Sequence, residues 1–313
     1  MMNDDLFLNE DRKYSLNRII RLMSGFPEDK PLPCRYEHGH SPFDDKPVND
    51  LKSKKRLMLV YNKRRLETWQ RYSKKPAFII GSPFVQYRRL QNICKAEDAC
   101  GTVVFPMHST PKEEGVFDRQ EYCRQLKELP AEFHPLKLCL HEHDFVLGFD
   151  KVYREQGFEV VTAGVRETPD FVDKFYEILR RCRYATSNAF GSYVFYAVEM
   201  GIPFFIYGPS TSIRYTDKKH SYERVKQEGE FGTFIEDLFS TYPEVEITEE
   251  QRIVVEREVG IKDAIGREAL YSLLLENYWR QRVEDVVRFP FRHPKKFARR
   301  MFTGIPLLDR LRS

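Results

Sequence analysis

The stretch TSNAFGSYVFYAVEMGIPFFIYGPS, from Thr186 to Ser210, decides the fold. An apolar run from Tyr184 ends in the small polar pair Ser187 and Asn188, Gly191 and Ser192 open a helical pattern, and Gly201 and Pro203 close it before a second apolar run. Strand, turn, helix, turn, strand is one unit of a parallel α/β sheet, because parallel neighbours need a crossover between them. A glycine lets the backbone approach a ligand closely, and free N–H groups at a helix start favour phosphate. Capping needs only one of Ser187, Asn188 and Ser192, so a cluster of them between two apolar strands points to a turn that holds a ligand.

The same rhythm extends outward. Apolar runs at Cys34 to His38, Arg56 to Asn62, Ala77 to Ser82, Thr102 to Ser109, Leu136 to Asp144, Phe158 to Gly164 and Pro203 to Gly208 read as strands. Helical patterns separate them, and KAEDACG at 95–101 interrupts the series. The fold expected is α/β, with two Rossmann-like lobes built on parallel sheets: a short N-terminal lobe over 1–97, a second lobe over 98–225 and a helical extension over 226–313. Strands are expected to stop by about residue 220, with a basic tail at the end.

Bulk properties exclude several classes. With 41% hydrophobic residues in 313, the chain can build real cores, and a net charge of +4 lacks the concentrated basicity of a nucleic-acid binder. MMNDDLFLNEDRK is acidic where a secretory leader is basic, and no apolar run reaches about 18 residues, so a cytoplasmic protein is expected. The six cysteines form no CxxC pair, which leaves zinc-ribbon and thioredoxin-like readings without support. Aromatics make up 14% of the chain, a large supply of flat surface for packing or for stacking on sugars and bases.

In parallel sheets ligands bind beyond the carboxyl ends of the strands. Here those ends read HGH (His38 to His40), GSP, HST (His108 to Thr110), HEHD (His141 to Asp144), TAG (ending at Gly164), SNAFGS and YGPSTS. The stretch around Gly191, with the following Gly201-x-Pro203, resembles the donor-binding half of GT-B type glycosyltransferases, and FPMHSTP is similar to the histidine motif of bacterial transferases that build capsule, lipopolysaccharide or teichoic-acid-like polymers. The resemblance spans roughly residues 36–217. It implies a sugar moved from a nucleotide-sugar donor to a hydroxyl of a saccharide or lipid-linked acceptor, with no cofactor besides that substrate and no nucleic acid.

Under that resemblance Ser187, Asn188, Gly191 and Ser192 hold the donor phosphates, with Gly164, Ser109 and Tyr196 beside them. His108 and Thr110 stabilise the departing phosphate, as a donor aimed at developing charge does. Glu37 or His38 takes the proton of the acceptor hydroxyl, and His40, Glu142, His143 and Asp144 contact the acceptor or orient a neighbour. Retaining members often carry two glutamates eight positions apart near the donor helix; here Glu199 is preceded at that spacing by Gly191, which leaves the stereochemistry open.

Alternatives remain at this level. His141 and His143, alternating on one strand face, can form a metal site with Asp144 and the HGH segment, the basis of a metal-dependent hydrolase; against it, H-x-H alone is a weak pattern and no metal is expected. A sugar-nucleotide epimerase or hydrolase and a non-catalytic sugar-binding scaffold share the donor site. The tail from Arg288 interleaves basic and apolar residues, suited either to the anionic cytoplasmic face of the inner membrane or to packing on the body with its basic face solvated.

Overall fold

The computed structural model describes residues 13–41, 44, 47–111, 113–216, 221–225 and 230–292. The first sheet is parallel, in the order β1 (Cys34–Tyr36), β2 (Leu57–Val60), β3 (Ala77–Ile79). All four residues of LMLV in β2 are buried, as the central strand of a sheet covered on both faces demands. The crossover helix Lys63–Tyr72 starts where the Asn62 side chain accepts from the Arg65 N–H, and it buries Trp69. A second helix, Pro83–Leu90, begins with proline at its first turn, where the missing N–H costs nothing.

The second sheet holds five parallel strands: β4 (Thr102–Val104), β6 (Leu136–Cys139), β7 (Glu159–Val161), β8 (Tyr184–Ser187) and β9 (Phe204–Ile206). Their order is β7-β6-β4-β8-β9. The chain therefore starts in the middle, runs out to one edge and returns to fill the other, so the strand order reverses between β4 and β8. That reversal opens the crevice in which doubly wound sheets bind ligands. Two parallel α/β sheets facing one another is the arrangement that the GT-B resemblance implies.

A third sheet departs from expectation. β5 (Glu113–Val116), β10 (Ser212–Thr216) and β11 (Ser221–Val225) pair antiparallel in the order β11-β10-β5, so strands continue past residue 220. The register sets Ile213 opposite Gly115 and Tyr215 opposite Tyr222. β5 and β10 lie about a hundred residues apart in the chain, and the charged EEGV has no alternation that local reading detects.

Helices Glu230–Phe239, Glu249–Val259 and Arg267–Arg292 follow. The second begins in a capping box of Thr248 and Gln251 and leads the chain back to the first sheet. There the Ser82 N–H donates to the Val259 carbonyl at 2.7 Å, and the Ile265 N–H to the Ile79 carbonyl at 2.9 Å. Gly260, at φ 67°, makes this return feasible: a Cβ would stand 2.1 Å from the Tyr61 carbonyl oxygen. One apolar core joins both sheets and the terminal helices, through Ile20, Leu59 and Phe84, then Val103, Phe195 and Phe204, and finally Phe239, Val255 and Leu274. Among the described residues no helix is long and apolar enough to cross a membrane. Of the basic tail, residues 293–313 lie outside the described residues.

Candidate functional site

A cavity of about 260 Å³ opens where the strand ends of the two sheets face each other. His38 and Gly39 reach it from the end of β1, His108 from β4, Cys139 to His141 from β6, Ala163 and Gly164 from β7, and Gly191 and Ser192 from β8. Aromatic rings make most of the wall. Phe105 stacks on Tyr193 with centroids 4.7 Å apart and 8° between planes, and Phe84 stacks on Tyr196 at 4.9 Å across the seam between the lobes. Tyr14, Tyr61, Phe171 and Phe175 complete it. No Lys, Arg, Asp or Glu is among the described lining residues.

The HGH loop divides its work. Glu37 is buried and turned away from the cavity: its Oε1 meets Arg65 Nε at 2.5 Å and its Oε2 accepts from the Tyr61 N–H at 2.9 Å. This carboxylate is occupied in holding β1 to the helix behind it. His38 does line the cavity, and burial, with Arg35 nearby, pushes its imidazole down to about 4. It is neutral at physiological pH, able to accept a proton but only weakly basic. His40 is enclosed by Tyr61, Phe195 and Tyr196, with neither ring nitrogen hydrogen-bonded, and burial lowers it to about 3. Its backbone N–H donates to Ser192 Oγ at 2.9 Å, which stitches the first lobe to the second.

The expected strand over Leu136 to Asp144 ends at Cys139, and Glu142–Val146 is a short helix. His141 and His143 therefore do not share a strand face. His141 caps the helix, its Nδ1 accepting from the His143 N–H, while Glu142 pairs with Arg166 at 3.3 Å and His143 lies outside the cavity wall. Among the described residues no group of three or more His, Cys, Asp or Glu is placed to hold a metal ion. Asp144 is buried and accepts from the Ser109 N–H at 3.0 Å; burial pushes its carboxyl up to about 6. Asp144 thus anchors the loop that presents His108. Ser109 faces inward and accepts from the Gly115 N–H at 3.2 Å, and Thr110 opens β5 by exchanging backbone bonds with Glu113.

The SNAFGS turn is built more for support than for contact. Ser187 Oγ bonds Tyr193 Oη at 2.7 Å, and Asn188 Oδ1 accepts from the Met107 N–H at 2.8 Å, one residue before His108. Both side chains are buried outside the cavity wall. Gly191 is open for a reason of packing, since a Cβ there would lie 2.4 Å from the Tyr193 ring. Ser192, Gly191, Gly164 and Tyr196 do line the cavity. Glu199 is spent on Arg88 and Arg89 of the first lobe. The cavity's aromatic wall escaped sequence reading, because Phe84, Phe105 and Phe175 are indistinguishable from core residues until the lobes meet. His141 was visible in its motif, but its cavity position depends on the strand ending early.

No protein-family model matches the chain, and no curated protein matches it. Among solved structures it is similar to the crystal structure of TarM, with 14% identity and a TM-score of 0.34, over 78% of this chain and 50% of that one. The chain thus spans about half the length of that structure, and so loose a likeness bears on neither site nor activity. The molecule itself defines the class: an α/β protein of two parallel sheets, with an aromatic, histidine-edged cavity at the strand-order reversal of the second.

Proposed function

We propose that the protein is a glycosyltransferase that moves a sugar from a nucleotide-activated donor to a hydroxyl of a saccharide or lipid-linked acceptor in cell-surface polysaccharide synthesis. The observation that carries this reading is the meeting of His38 from one parallel sheet with His108 and His141 from the other across a single cavity. Two reactants held by two lobes gain the proximity that converts a bimolecular step into an effectively unimolecular one. Aromatic walls suit the flat faces of bases and sugar rings. In this reading His38, rather than Glu37, receives the acceptor proton, and His108 donates to the departing phosphate. Ser192, Gly191, Gly164 and Tyr196 contact the donor, while Ser109, Thr110, Ser187 and Asn188 hold those contacts in place. The basic tail from Arg288 brings the protein to an anionic membrane surface on the cytoplasmic side, where lipid-linked acceptors lie.

One observation favours a second reading. A base pushed down to about 4 drives proton transfer poorly, which suits a non-catalytic binder of the same ligand. Thermal unfolding against nucleotides and nucleotide sugars tests both. A selective rise in midpoint, with turnover of that nucleotide sugar once acceptor is added, supports the transferase. A rise without turnover, with any acceptor offered, supports the binder, and no rise at saturating ligand removes both.

A further inference from the structure

His141 has half of its hydrogen bonding made. The His143 backbone N–H donates to its Nδ1 at 3.2 Å. A backbone N–H can only donate, so Nδ1 carries no proton, and in the neutral ring the proton sits on Nε2. Burial, with His108 and Arg166 adding their charge, pushes this imidazole down to about 3, so the ring is neutral at physiological pH. Nε2 is buried and meets no acceptor. Buried donors without partners are rare in native proteins, and each needs a physical reason.

The surroundings suggest that reason. The His141 ring belongs to the cavity wall and lies 5.0 Å from the His108 ring, tilted by 32°. His40 is also unpartnered, but it lies outside the wall, sealed among aromatic rings. The described wall offers stacking faces, histidines and hydroxyls, with no Lys, Arg, Asp or Glu. A phosphate drawn fully inside loses its hydration with no Lys or Arg in the wall to replace it. An uncharged ring loses little, stacks on the aromatic faces and can accept one hydrogen bond.

We propose that the cavity takes the uncharged ring of its ligand, a nucleobase or a sugar, that His141 Nε2–H donates to an oxygen of that ring, and that any phosphate stays at the mouth. This rests on the transferase reading only in taking the cavity as the ligand site. His141 is then a binding residue that selects for an oxygen acceptor.

NMR of protein isotope-labelled at its histidine ring nitrogens tests it, with uridine, adenosine, guanosine, glucose and N-acetylglucosamine as probes. The free protein is expected to show His141 as the Nε2–H tautomer, and a neutral probe is expected to shift that resonance. A shift with uridine or guanosine identifies the occupant as the base, a shift with hexoses identifies it as the sugar, and a shift with adenosine alone, whose base carries no oxygen, overturns the oxygen acceptor. An Nδ1–H tautomer, a shift only with phosphorylated probes, or no shift at all overturns the inference. His141→Asn keeps an oxygen where Nδ1 caps the helix and loses the Nε2 donor, so it should fold normally and bind the active probe roughly tenfold more weakly. His141→Gln returns an N–H near the Nε2 position and should recover binding while losing the cap. Undiminished binding by the folded His141→Asn protein also overturns the inference. Ring binding that persists in a protein unable to turn over any nucleotide sugar would instead count against the transferase reading alone.

Discussion

Glu199→Ala should be the most damaging single change at the seam between the lobes. Glu199 ends the helix Tyr193–Glu199, with its side chain only 8% exposed. Arg88, on the helix Pro83–Leu90 of the first lobe, meets both carboxylate oxygens at 2.8 Å, and half-exposed Arg89 adds a contact at 3.0 Å. Removing one partner of a buried pair strands the other, which costs about 3–5 kcal/mol. Arg88 keeps one bond to the Ile93 carbonyl, and Arg89 can turn to water, so the low end, about 3 kcal/mol, is expected. The same two helices carry Phe84 and Tyr196, stacked across the seam, so loosening the pair should also weaken ligand binding. Urea unfolding of wild type, Glu199→Ala and the double change Arg88→Met with Glu199→Leu measures it. The double variant should recover most of the loss, because apolar side chains of similar volume replace a buried pair at little cost. A loss below about 1 kcal/mol in Glu199→Ala would refute the reasoning, since that is the value of an exposed pair.

Three further expectations concern the histidines and the turn beneath His108. His40→Phe removes two buried ring nitrogens that meet no partner and should stabilise the protein by about 1 kcal/mol in the same assay; a net loss would mean that the cage cannot admit the larger ring. Stability should fall as pH drops from about 6.5 towards 4, because His38, His40 and His141 take up protons when unfolded but not when folded. Asp144, raised to about 6, and Glu37, also raised by its burial, work in the opposite sense above their unfolded values, two groups against three. The urea midpoint should therefore decline over that range, and more shallowly in His40→Phe; a flat wild-type profile contradicts the burial of these rings. Asn188→Leu leaves the Met107 N–H without its acceptor and should cost about 1–3 kcal/mol while displacing His108, which a ligand titration would register as weaker binding.

Legibility in the sequence followed the range of the forces involved. The β8–helix–β9 unit was readable because an apolar run, a polar turn and a glycine–proline stop act within some twenty-five neighbouring residues. The third sheet, formed by β5, β10 and β11, was not, because one of its two pairings joins Glu113–Val116 to Ser212–Thr216. The HEHD segment was misread as strand because LKLCL continues its apolar pattern to Leu140, whereas the structure ends β6 one residue earlier and lets His141 cap a helix. His108, Ser192 and Gly191 were located by motif and do border the cavity, while Ser187, Asn188 and Ser109 turned inward to hold the loops that carry them.

Alternation of buried runs with amphipathic helices, set by local sterics and the hydrophobic effect, by itself determined the parallel α/β class and the positions of the strand ends that border the cavity. Only the tertiary structure decided which of those polar residues face the cavity. Glu37 and Arg65, Glu199 and Arg88, and Asp144 and the Ser109 N–H satisfy one another across the fold. A buried charge or hydrogen-bonding group takes whatever partner the packed chain brings within reach, and nothing in its own neighbourhood of sequence says which one that will be.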